Sequence, residues 1–339
     1  MNEFNIIGID LAKNFFQLHG TDFRGKAILK KRLSRTGLKQ FVANLKPCLI
    51  GMEACGGANY WARLFREMGH EVRLISPQFV KPYVKSNKND AADAEAIAEA
   101  VSRPQMRFVP IKEKHHQDIQ CLHRIRQRLV RNKTALSNEI RGLLLEYGII
   151  LPQRTGPLMQ ALPRIIDNPN SELSEALKEL FLILFEELKA LKEHVKNMDS
   201  KILRIYQSRE DCQRIGEIEG VGPITATAIS SAVSDPSVFK NGRQFAAWLG
   251  LVPRQHSSGG KDKLLGISKR GDSYIRSLLI HGARTVLRYI ENKNDRRSRW
   301  AQNVLARRGY NKTCVAIANK NARIIWAMLH TKKEYQRVA

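Results

Sequence analysis

Three extended segments in immediate succession, followed by regular alternation of strand-like and helix-like stretches, fill the first third of this chain and restrict it to few folds. IIGID (6–10), FFQLHG (15–20) and AILKKRL (27–33) read as strands, and DFRGK (22–26) suits the turn of a hairpin. TGLKQFVANL then reads as a helix, LIGME as a strand, NYWARLFREMG as a helix and EVRLIS as a strand. A three-strand meander that continues into strand and helix alternation predicts a mixed sheet covered by helices.

That order is the order of the ribonuclease H-like fold, and acidic residues stand at its strategic points. Asp10 ends FNIIGID, Glu53 ends LIGME, and Asp90 and Asp93 lie three apart in NKNDAADAEAIAEA. A carboxylate at the tip of each of two buried strands, with a pair at i and i+3 on a helix, can converge and bind a divalent cation through oxygen. Such a site acts on phosphates. Each acid alone has a plainer reading, as a turn residue, a helix cap or a charge favoured at a helix N-terminus.

The charge balance points to a polyanion. Against 57 Lys+Arg stand 32 Asp+Glu, a net charge of +25. Residues 240–339 hold +17 of it (22 basic, 5 acidic) and the preceding 239 residues only +8, so the main nucleic-acid surface is expected in the last hundred residues. Five cysteines with no CxxC pair indicate neither a disulfide framework nor structural zinc. No apolar run approaches the roughly 18 residues of a membrane span, and a signal peptide is missing, so a cytoplasmic protein is expected.

Three domains are predicted: 1–111, 112–208 and 209–339. In the second, Ile119, Leu122, Arg126, Leu129, Lys133, Leu136, Ile140 and Leu143 follow alternating steps of three and four, as do Leu184, Leu188, Leu191, Val195, Met198, Ile202 and Ile205. Pro152, Pro157, Pro163 and Pro169 mark a turn region between them. This predicts an antiparallel helical hairpin or coiled coil, either an oligomerisation arm or a subdomain packed on its own chain. His115, His116 and His123 lack any partner at ligand spacing and read as helix-surface residues.

In the third domain, GEIEGVGPITATAISSAV places Gly220 and Gly222 before Pro223 at a helix start. The pattern is that of a helix-hairpin-helix, whose glycines admit a DNA phosphate, or else of an ordinary interhelical turn. Ser257-Ser258-Gly259-Gly260 follows in a predicted loop, with Arg254, His256, Lys261, Lys263, Lys269 and Arg270 around it. The loop either holds phosphate or presents a serine that attacks it. Arg296, Arg297, Arg307 and Arg308 on later basic helices are candidate phosphate contacts, as are Arg126 and Lys133.

The stretches GIDLAK, GMEACGGANYWAR, KNDAADAEAIAEA, EGVGPITATAI, FAAWLGLVPRQHSSGGKDKLLGISKRGDSYIR and HGAR together resemble the DEDD transposases of the insertion sequence one-ten family, nearest its eleven-eleven subgroup. The likeness covers nearly the whole chain. It implies a RuvC-like (ribonuclease H-like) N-terminal domain, a coiled-coil arm and a mainly α-helical C-terminal transposase domain. It implies an acidic quartet at Asp10, Glu53, Asp90 and Asp93 holding Mg2+ or Mn2+, and a nucleophilic serine at Ser258, with Ser257 as minor candidate. The implied activity is strand cleavage and rejoining through a covalent phosphoserine. The implied partners are donor and target double-stranded DNA, a structured bridge RNA as guide, and further copies in a homodimer or homotetramer. Two rival readings are a Holliday-junction-type nuclease using metal-activated water, and a non-catalytic nucleic-acid-binding protein.

Overall fold

The computed structural model describes residues 4–85, 89–259 and 261–336, apart from the side chains of Ser258, Lys261 and Asp262. The chain divides into two compact units, Met1–His116 with Val233–Val238, and Gln117–Ala232 with Phe239–Ala339. No helix among the described residues is long and apolar enough to cross a membrane.

The first unit is a six-stranded sheet in the order β3-β2-β1-β4-β5-β6. Strands β1 (Ile6–Asp10), β2 (Phe15–Thr21) and β3 (Ala27–Ser34) form the antiparallel meander. Asp22 accepts backbone N–H bonds from Arg24 and Lys26 to shape the second turn. Helix α1 (Arg35–Ala43) leads to β4 (Leu49–Glu53), parallel to β1, and α2 (Ala58–Glu67) leads to β5 (Glu71–Ile75), parallel to β4. The short α3 (Pro77–Val80), then α4 (Asp90–Val101) and a two-residue antiparallel edge strand β6 (Phe108–Val109), complete the unit. The short α3 and β6 lack counterparts in the sequence expectations, because four and two residues are too few for any periodicity.

The sheet is covered on both faces. Ile7, Ile9, Ile50 and Met52 pack with Leu38, Val42, Trp61 and Phe65 on one side. The other side belongs to α4, whose Ala96, Ile97, Ala100 and Val101 pack with Ile75 and Val80. Here the helix comes unusually near: a Cβ at Gly8 would stand 2.3 Å from the Ala94 carbonyl oxygen, and one at Gly51 would stand 2.9 Å from the Val101 Cβ. Glycines in the strands and alanines in the helix are what permit this approach.

The second unit is helical. Helices α5 (Lys114–Leu145) and α7 (Glu175–Ser208) pack as a hairpin around a shared apolar core, with α6 (Thr155–Ile166) against them. Leu129, Leu136, Ile140 and Leu144 share a core with Leu158 and Leu162 of α6 and with Phe181, Leu188, Leu191 and Val195 of α7. The apolar stripes are thus largely satisfied within the chain. Leu180, Leu182 and Ile183 of α7 nevertheless remain more than half exposed. The proline-marked segment is not all turn: Pro157 sits in the first turn of α6, where its missing N–H is unneeded, and Pro163 is held inside by burial of Leu158 and Leu162.

Arg126, an intruder in the apolar stripe, forms an ion pair with Asp199 across the hairpin. It serves the hairpin seam, which corrects its reading as a phosphate contact.

Helices α8 (Glu210–Gly216), α9 (Pro223–Ala232) and α10 (Gly242–Trp248) follow, then strands β7 (Pro253–Ser258) and β8 (Lys261–Ile267), then α11 (Ser273–Arg288), α12 (Arg296–Arg308) and α13 (Tyr310–Thr331). The loop expected at 252–272 is therefore in large part an antiparallel β-ribbon. Its strands stand exposed on both sides, so neither carries the apolar alternation by which a strand is read.

Candidate active site and nucleic-acid interface

The pleat of the first sheet decides where two of the four acids point. Gly8 and Gly51 both face α4, since a Cβ on either would collide with it. Side chains alternate along a strand, so Asp10 and Glu53, two residues further on, point to the same face. Strands β1 and β4 are parallel neighbours in the register Gly8↔Gly51 and Ile9↔Met52, which sets Asp10 and Glu53 side by side at their C-terminal ends. Their charges meet at Cys55, whose thiol pKa is raised by desolvation first, then by Glu53 and Asp10.

Helix α4 supplies the other pair. Asn89 caps it, its side chain accepting from the Ala92 N–H at 2.8 Å, so neither Asp90 nor Asp93 is needed as the cap. Asp90 lies one turn before Ala94, which presses on Gly8, and Asp93 lies one turn before the buried Ile97. Both therefore prolong the sheet-facing stripe of the helix beyond its packed part. Glu53 is not a cap either: α2 starts after Gly57, in left-handed conformation, with no side-chain cap.

The structure thus sets all four acids in one layer, on the α4 side of the sheet. It does not close them into a cage: among the described residues, no three His, Cys, Asp or Glu side chains gather as a metal site. His19 shares the layer, opposite Gly8 in the β1–β2 register, 5% exposed and with no hydrogen-bond partner for its Nδ1 among the described residues. Burial lowers its pKa against the opposing pull of Glu95. The sequence reading passed over His19, since its importance comes only from strand pairing.

In the second unit, Ser257 and Ser258 occupy the end of β7, where Ser258 pairs with Lys261 and Gly259 turns at φ +57. The side chains of Ser258 and Lys261 lie outside the described residues, as does Gly260. Gln255 donates to the Ser257 hydroxyl at 2.8 Å. Arg254, Lys263, Lys269 and Arg270 are all exposed. The stem is anchored where a Cβ on Gly250 or Gly271 would overlap the backbone of Arg270 or Trp248, at 2.2 and 1.9 Å.

Other candidate contacts divide. Arg296, Arg307 and Arg308 are exposed. Arg297 is turned inward, donating to the Glu219 carboxylate and the Tyr335 hydroxyl at 2.9 Å each, and to buried Asn321. Its guanidinium secures the domain interior, which corrects its assignment as a phosphate contact.

Gly220, at φ +84, packs back to back with Gly282 of α11: a Cβ on Gly282 would lie 1.8 Å from the Gly220 carbonyl oxygen. Tight interhelical packing accounts for Gly220, whereas Gly222 is exposed in open space.

His123 is also corrected. It is buried, its Nε2 3.0 Å from the Thr227 hydroxyl and its Nδ1 3.1 Å from that of Tyr274. Thr227 gives its own proton to the Pro223 carbonyl at 2.7 Å, so a neutral imidazole donates from Nε2 and accepts at Nδ1. Burial, then the Arg126 charge, brings the pKa of His123 down to about 4. The folded pKa lies below the unfolded one, so the stabilisation is complete above pH ~6.5 and is lost as pH falls toward ~4. Roughly 3 kcal/mol of stability should disappear across that window. Denaturant titrations at pH 7 and pH 4.5 should show the loss, and His123→Gln should reduce the difference between the two.

Known proteins similar to this chain are transposases of insertion sequences. Residues 212–300 match the sequence profile described as the Transposase IS116/IS110/IS902 family, and residues 7–149 match that of a DEDD transposase of IS110 type. A probable family 20 transposase of Pseudomonas aeruginosa is 50% identical, over 97% of this chain and 98% of its own length. The transposase for insertion sequence element IS1111A of Coxiella burnetii is 48% identical, over 99% and 92%. That for IS1328 of Yersinia enterocolitica is 41% identical, over 97% of each.

Proposed function

Because this chain belongs to the IS116/IS110/IS902 family of transposases, we propose that it cuts and rejoins DNA with a carboxylate layer in one unit and a serine in the other. The observation that carries this reading is the placement of Asp10 and Glu53 side by side at parallel strand ends, under the acid-bearing start of α4. An all-carboxylate donor set suits a hard divalent cation, and Mg2+ in particular takes one or two carboxylates together with waters and substrate phosphate oxygens. Asp10 and Glu53 would hold it, with Asp90 and Asp93 beside them; when bound, it would neutralise charge on the phosphate.

Ser258, or Ser257 in its place, then forms the new ester. Its oxygen bonds to phosphorus as one sugar–oxygen bond to phosphorus breaks, the departing sugar oxygen takes up a proton, and a base accepts the proton of the serine. Attack by a hydroxyl of another strand end reverses these events and completes the exchange. The exposed Arg254, Lys263, Lys269 and Arg270 stabilise the charge that builds on the phosphate.

Exchange between two duplexes calls for at least two copies, and exposed Leu180 and Ile183, neighbours at i and i+3 on α7, offer an assembly face. The +17 balance of residues 240–339 supports a structured RNA guide in addition to DNA. The decisive experiment is to quench a reaction on element-end DNA in denaturant. A covalent protein–DNA adduct supports the serine mechanism; cleavage without an adduct would indicate a water-using nuclease instead.

A further inference from the structure

A cleft of about 960 Å3 opens in the second unit beside the stem of the β-ribbon, with Pro253 and Ile267, a register pair of that stem, on its wall. This lies within the range of roughly 300 to 1,000 Å3 common to small-ligand sites. Its other walls carry two indoles, Trp300 and Trp326, and four cations, Arg243, Lys312, Lys320 and Arg323. Among the described residues that line it, none is acidic.

The chemistry of these walls is specific. Both indoles are half-buried, Trp326 stacking one face on His330 with centroids 5.0 Å apart, while Arg243 and Arg323 are exposed. The Lys320 ammonium stands 4.2 Å from the centroid of the Trp300 ring. Desolvation, then the like charges of Arg297, Arg296 and Arg323, depress its pKa. Lys312 and Arg323 lie on one helix, α13, about 16 Å apart along its axis, so they can meet backbone on both sides of one inserted group. Half-buried aromatic walls together with exposed cations suit a flat ring joined to phosphates. A base still paired within a duplex could not reach it, and an unpaired base could stack there.

We propose that this cleft holds one unpaired nucleotide of single-stranded DNA, its base against Trp300 or Trp326 and its flanking phosphates on Arg243, Lys312 and Arg323. DNA is the occupant because the cleft wall continues, from Pro253, into β7, the strand that ends at Ser257 and Ser258; in this the inference rests on the function proposed above. Because five extended residues, roughly 17 Å, separate Pro253 at the cleft from Ser258, the nucleotide held out of the helix would lie a few positions along the strand from the exchanged phosphate.

The test is binding of the full chain, by fluorescence anisotropy, to a labelled single-stranded DNA and to the same sequence as a blunt duplex. Trp300→Ala should weaken binding of the single strand about tenfold or more and of the duplex by less than about twofold, whereas Trp300→Phe keeps a stacking ring and should stay within about threefold of the parent. Arg323→Gln, at an exposed position, should weaken single-strand binding several-fold and lessen its salt dependence. It decides the matter should Trp300→Ala not fold. Equal losses on both DNAs, unchanged binding by these variants, or Trp300-dependent binding confined to single-stranded RNA would overturn the proposal. None of these readouts needs a serine adduct, so loss of the adduct with single-strand selectivity intact would overturn only the serine chemistry.

Discussion

Asp10→Asn and Glu53→Gln should each lower strand cleavage by a hundredfold or more, by analogy with the loss of about 10² to 10³ on removing one electrostatic contact to a transition state. Both substitutions keep the side chain's size and remove only its charge, and both positions end strands whose preceding residues are fully buried. The sheet should therefore fold as before. Adjacent carboxylates pointing to one face repel each other without a cation, so thermal melting in EDTA should be unchanged or slightly higher in the variants than in the parent. Added Mg2+ should raise the melting temperature of the parent more than that of either variant. Cleavage of supercoiled plasmid carrying element ends gives the activity. Full activity in either variant, or parent activity undiminished by excess chelator, would remove the metal from the reaction.

Ser258→Ala should abolish strand exchange while leaving DNA binding and folding intact. The residue ends an exposed ribbon whose backbone pairing, Ser258 with Lys261, does not depend on the hydroxyl. Loss of one oxygen there should change stability by less than about 0.5 kcal/mol. Ser257→Ala should retain exchange, because that hydroxyl is bound by the Gln255 amide. The reverse result would move the nucleophile by one position. Exchange surviving in the double variant would end the serine mechanism altogether.

The sheet was legible because its pattern is local: apolar runs bounded by turns announce β1 to β5, and the acids stand where those runs end. The approach of α4 was not. Gly8 and Gly51 in isolation read only as weak strand residues, and their use appears once Ala94 and Val101 are laid over them. The ribbon at 253–267 was hidden because a two-stranded element exposed on both faces has no apolar side to alternate. Arg297 and Arg126 were misread for a related reason. Their carboxylate partners, Glu219 and Asp199, are 78 and 73 residues away, and no window along the sequence pairs them. His123 looked like a surface residue on a helix until α9 and α11 were seen to close over it with Thr227 and Tyr274.

The contact of α4 with Gly8 and Gly51 has a bearing on how such a chain can drift. Two of the acids ride on the helix and two on the strands; helix and strand meet at main-chain distance at Gly8, and at Gly51 only the Val101 side chain stands between them. Elsewhere in the core, Ile7, Ile50 or Phe65 can exchange for other apolar residues, altering stability while the layer on the opposite face keeps its spacing. Tolerance and intolerance are thus assigned to opposite sides of one sheet: the α1/α2 side is free to vary its filling, and the α4 side is gauged by two hydrogen atoms where any other residue would place a carbon.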